Sequence, residues 1–159
     1  YDHDESVITF FLHNGVGDIV GYQQYRPLTT EKKVKNDPKN GRYYTYLPKD
    51  TDGVFGWDVI NPADRTIYVV EGIFKAAVLH RLGYNAIAVL TSSPKRLKPW
   101  FRILRPTWNL VGIGDNDPAG QILINCVKQG FKSPVDLDEM LDDDTVQMLT
   151  VNAAGGSAP

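Results

Sequence analysis

At 159 residues, with 17 lysines and arginines against 19 aspartates and glutamates, the chain carries a formal net charge of −2. It is long enough for one compact domain or a domain with a small appendage, and its charge argues against a wholesale nucleic-acid coat while leaving room for a local basic groove. The single cysteine, Cys126, excludes an internal disulfide framework and a cysteine-cluster zinc site; with no apolar run of membrane-spanning length and no leader-like opening, a reducing cytoplasm is the expected setting.

The first part of the chain is β-rich. Residues 7–12 have the β-branched and aromatic content of a strand. Residues 13–18 supply a turn around Asn14, Gly15 and Gly17, and residues 19–26 read as the returning strand of a hairpin. A lysine-heavy polar loop follows over 32–41, then a strand over 42–47 and a short fourth over 54–57.

From Asp64 onward the pattern becomes a regular alternation. Apolar runs at 66–70, 86–90 and 110–114 read as buried parallel strands. Between and after them, helices are expected over 74–82, with Phe74, Ala77, Val78 and Leu82 on one face, over 94–105, and over 119–129, with Ile122 and Val127 toward the sheet. A short acidic helix over 136–141 and an edge strand over 145–151 complete the expectation, and the small residues of 152–159 are expected to be disordered. The fold class is therefore α/β: a β-rich subdomain over 1–63, a parallel sheet with helices over 64–151, and a tail.

Ligands of open α/β sheets sit beyond the C-terminal ends of the strands. Glu71-Gly72 follows the first parallel strand and Gly114-Asp115-Asn116-Asp117-Pro118-Ala119-Gly120 follows the third, so both open onto one rim. Asp115 and Asp117 alternate in an extended turn, and Glu71 adds a third carboxylate, a donor set suited to a hard divalent cation such as Mg²⁺. Gly72 and Gly114 allow backbone or phosphate to come close. Taken singly, each acid equally suits the start of the following helix.

These residues resemble the Toprim domain of bacterial and phage DNA primases, a fold also found in topoisomerases, recombination mediators and overcoming-lysogenization-defect nucleases. The likeness covers about residues 66–141, and the Ala119-Gly120 ending leans toward primases. It implies a Rossmann-like parallel sheet with Mg²⁺ or Mn²⁺ held by Glu71, Asp115 and Asp117 as catalytic ligands. It also implies primer synthesis from nucleoside triphosphates on single-stranded DNA, with a replicative helicase as a further partner. Upstream, Gly17 through Arg26 and Arg42 through Leu47 are similar to the β-rich subdomain that precedes the Toprim part of primases, which would turn Arg26 and Arg42 toward nucleotide or template.

Two departures stand out. Primases carry an acid three residues after the first-motif glycine, where this chain has Lys75, a residue that lowers the metal charge the site can hold, itself contacts phosphate, or is an ordinary solvent-facing helix lysine. Ser133 stands where a later acid is expected, leaving Asp136 and Asp138 as substitute ligands for a second metal. Lys95, Arg96, Lys98, Arg102 and Arg105, with Trp100 and Phe101 interleaved, and the lysines of 32–39 could follow a phosphate backbone; the alternative is that Trp100, Phe101, Ile103 and Leu104 are core and the charges a wet face. The tryptophans read as core and the histidines as incidental. Two other functions suit the same residues: a catalytically degenerate Toprim module that grips nucleic acid or a replication partner, and a Toprim nuclease. The chain is too short for a topoisomerase scaffold.

Overall fold

A computed structural model describes residues 1–156. The chain divides into two compact units at Asp58/Val59. In the first, β1 (Ile8–His13), β2 (Ile19–Tyr25) and β3 (Tyr43–Tyr46) form an antiparallel sheet in the order β1-β2-β3. The β1–β2 turn is held by Asn14, whose side-chain oxygen accepts from the amides of Val16 and Asp18 at 3.1 and 2.9 Å, with Gly17 at a positive φ of 92°. The fourth strand expected near Val54 is an isolated bridge to His13. His13, expected to be incidental, is buried and lies 3.5 Å from Asp58.

The second unit holds a four-stranded parallel sheet: β4 (Thr66–Val70), β5 (Ala86–Ala88), β6 (Asn109–Gly114) and β7 (Gly130–Lys132), in the order β5-β4-β6-β7. Helices α1 (Ile73–Arg81), α2 (Lys98–Leu104) and α3 (Pro118–Val127) connect them, and α4 (Asp142–Gly156) follows. Ile67, Val69, Val70, Ala86, Ile87 and Ala88 are buried, as the continuous apolar runs require of a sheet covered on both faces.

The helical faces differ in detail from the expected ones. α1 buries Ile73, Ala76, Val78 and Leu79 rather than Phe74, Ala77 and Leu82, and α3 buries Gly120, Leu123, Cys126 and Val127 while Ile122 is exposed. In α2 Phe101 and Leu104 are core, whereas Ile103 is exposed.

The last part of the chain corrects the expectation more fully. Residues 145–151 are helix, not strand. Their β-branched residues suggested a strand, but Thr145 and Leu149 are the buried pair, four apart as on a helix face. The hydroxyls of Thr145 and Thr150 donate to the carbonyls of Leu141 and Val146 at 3.0 and 2.8 Å, and Asp142, Asp143 and Asp144 complement the positive end of the helix dipole. The helix runs through Gly156, so residues 152–156 belong to it; the rest of the expected tail, 157–159, lies outside the described residues. The acidic helix expected over 136–141 is a single 3₁₀ turn, Leu137–Glu139.

Candidate functional site

β4 and β6 are neighbours, but the chain leaves β4 toward β5 on one side and leaves β6 toward β7 on the other. In open α/β sheets such a reversal is where ligands are taken, in the crevice beyond the C-terminal strand ends, here those of β4 and β6. Glu71 follows β4 directly and Asp115 follows β6 directly, so both acids stand at the crevice. The backbone around them is closely fitted. A Cβ at Gly114 would collide with the backbone of Gly120, and one at Gly120 with the carbonyl of Asp115. Both glycines are thus needed for the strand end to fold back on α3. Gly72, by contrast, has open space around it. Leu90, at a positive φ of 63°, donates its amide to the carbonyl of Glu71 at 2.8 Å; this strained position at the rim was not visible in the apolar run that contains it.

Asp117 takes the capping role. Its carboxylate accepts from the amide of Gly120 at 2.7 Å, closing the first turn of α3 behind Pro118. Asp115 is engaged differently: the ammonium of Lys75, on the first turn of α1, donates to its Oδ1 and also reaches Asp136 Oδ1 at 3.4 Å. The Lys75 side chain is 15% exposed, against 30% for Asp115 and 50% for Asp136. Burial works against its charge, but the hydrogen bond and charge of Asp115, then those of Asp136, outweigh it and hold the lysine pKa above its usual value. Glu71 is raised above the usual carboxylate range, first by burial and then by the charge of Asp115, with Asp117 adding to the rise and Lys75 opposing it. Glu71, Asp115, Asp117, Lys75 and Asp136 therefore share one electrostatic neighbourhood. Asp138 is exposed, and Ser133 is buried with its amide bonded to the carbonyl of Gly114 at 2.8 Å.

The donor chemistry of this rim suits Mg²⁺ or Mn²⁺, but its arrangement does not: among the described residues no group of three or more acids, histidines or cysteines is placed to hold a metal ion. Lys75 turns Asp115 and Asp136 toward itself, and Asp117 is bound to the helix it caps.

Of the remaining candidates, Arg26 and Arg42 belong to the first unit and Lys95, Arg96 and Lys98 to the second. Arg42 donates from Nε and Nη2 to the carbonyls of Thr29 and Thr30 at 2.8 and 3.1 Å, fastening the base of the exposed lysine loop. Arg26 donates from Nη2 to Gln24 at 3.2 Å, while its buried Nη1 has no hydrogen-bond partner among the described residues. Lys95, Arg96 and Lys98 are exposed along the segment that leads from β5 into α2. An aromatic row escaped the sequence reading. Phe11, Tyr22 and Tyr46 are register partners across β1-β2-β3 and so share one face. Phe11 and Tyr46 are 53% and 47% exposed, and the rings of Tyr22 and Tyr46 stack with centroids 5.4 Å apart.

No protein-family model matches the sequence, and no curated protein matches it. Solved structures do. A DnaG primase catalytic domain bound to ssDNA matches with a TM-score of 0.67 at 17% identity, over 91% of this chain and 53% of that one. The Escherichia coli primase catalytic core matches at 0.63 and 18% identity, over 93% and 50%. Bacteriophage T7 primase domains, seen bound to an RNA/DNA hybrid and interacting with a DNA polymerase, match at 0.60 and 15% identity, over 90% and 72%. The chain thus spans about half the length of the first two. With its parallel Toprim-type sheet and its separate small antiparallel sheet, it has the fold of the DNA primase catalytic core.

Proposed function

We propose that this chain is a primase-type core that binds single-stranded DNA. The observation that carries the reading is the shared fold, which covers both units and includes a neighbour bound to ssDNA. The chemistry of the first unit supports it. Phe11, Tyr22 and Tyr46 offer π faces on which bases can stack whatever their sequence. Lys32, Lys33, Lys35 and Lys39 lie exposed on the loop that Arg42 fastens. Cations placed this way neutralise phosphates and make binding strongly salt-dependent. Such a core would work beside a replicative helicase or polymerase on the same strand.

Primer synthesis is the second reading, favoured by the electrostatic convergence of Glu71, Asp115 and Asp117. For these acids to serve such a reaction, the Lys75 ammonium would first have to leave Asp115. Incubation of the chain with single-stranded DNA, labelled ribonucleoside triphosphates and Mn²⁺ separates the readings. Retention of DNA without labelled product is the outcome of a binding core. Labelled oligoribonucleotides that vanish in Asp115→Asn are the outcome of a polymerase, shortened DNA that of a nuclease, and failure to retain DNA refutes the proposal.

A further inference from the structure

The acidic rim contains its own cation. Lys75 lies on the first turn of α1, where the helix dipole disfavours positive charge. Its side chain is nonetheless 15% exposed, and its ammonium contacts carboxylates that follow β6 and precede the Leu137–Glu139 turn. A surface lysine has no reason to leave water for that end of a helix; contact with two carboxylates supplies one. The contact joins residues 40 and 61 positions apart, so it ties α1 to both of the acid-bearing loops at the crevice.

We propose that Lys75 is the resident counterion of this rim, occupying the position between Asp115 and Asp136 that a divalent metal would need and keeping the site from binding one tightly. One fixed charge then holds the loops together at any divalent-ion concentration. A metal entering this space would meet a neighbouring ammonium as well as one fewer free carboxylate, and both effects weaken its binding. The inference stands on the rim's own geometry and goes beyond DNA binding.

Mn²⁺ titration of the full chain, followed by the electron paramagnetic resonance of free Mn²⁺ with no DNA or nucleotide present, tests it. Lys75→Asp should bind Mn²⁺ at least about tenfold more tightly than wild type, the scale on which groups beside a metal tune its affinity. Lys75→Arg should stay with wild type, and adding Asp115→Asn to Lys75→Asp should remove the gain. Lys75→Met, which keeps the side-chain stem and drops the charge, should also tighten binding if the aspartate variant does not fold. A saturable wild-type Mn²⁺ site that disappears in Asp115→Asn and is as tight as any Lys75 variant's overturns the proposal. Because DNA is absent, that result would leave the DNA-binding reading standing, and loss of DNA binding would leave this one.

Discussion

Burial and the nearby charges of Asp115 and Asp117 make the ionised form of Glu71 costly, and Lys75 offsets only part of that cost. A carboxyl whose pKa is raised on folding holds its proton more readily folded than unfolded, so its contribution to stability falls as pH climbs from the ordinary carboxylate range through the raised value. Glu71→Gln removes that ionisation. It should raise the Tm by about 1–2 °C near neutral pH and lose the advantage at about pH 3 and below, where wild-type Glu71 is protonated in both states. Scanning calorimetry at the two pH values checks this, and a variant that melts lower near neutrality would mean the carboxylate is a stabilising ligand of its surroundings. Lys128 is a second residue with a legible cost. It is exposed and ends α3 at a φ of 73°, a conformation that costs an L-residue about 1–2 kcal/mol. Lys128→Gly relieves it against the greater freedom of glycine in the unfolded chain, for a net gain of about 0.5–1 kcal/mol. The urea midpoint should rise accordingly; a lowered midpoint would contradict the strain. At this scale the sequence placed Glu71 and Asp115 directly after parallel strands, where the strands do end, because an apolar run bounded by an acid dictates that; it offered no such footing for Asp136 or Asp138. It did not show that Asp117 is spent on the Gly120 amide or that Lys75 reaches Asp115, because both depend on side-chain placement within a few ångströms.

The parallel strands and the helices between them were legible because each is a run bounded by glycine or proline, as with Gly83 after α1 and Pro106 after α2. β7 was not, since three residues with one apolar side chain, Phe131, carry no period. α4 was misread because Thr145, Val146, Thr150 and Val151 favour strands in isolation, and the packing of Thr145 and Leu149 overrides that preference. Leu149 is almost fully buried. Leu149→Ala should therefore cost about 2–4 kcal/mol in chemical denaturation, while substitution of exposed Val151 should cost little. Equal costs would point back to an alternating strand.

For the whole molecule, the likeness to primase cores extends across both units at 17 and 18% identity, a likeness of fold. In this chain an antiparallel sheet with an aromatic row precedes a parallel sheet whose strand order reverses between two acid-bearing ends. The first half of that pattern points to nucleic acid most directly, and fluorescence anisotropy of a labelled single-stranded oligonucleotide, titrated at low and at physiological salt, tests it. The account predicts binding that weakens steeply with salt, as phosphate contacts require. It also predicts a loss of about five- to a hundredfold in Tyr46→Ala, the scale of one base stacked on one ring, with a fall in Tm of no more than a few degrees from the lost stacking on Tyr22. No binding of the oligonucleotide at low salt, or binding indifferent both to salt and to Tyr46, would contradict it.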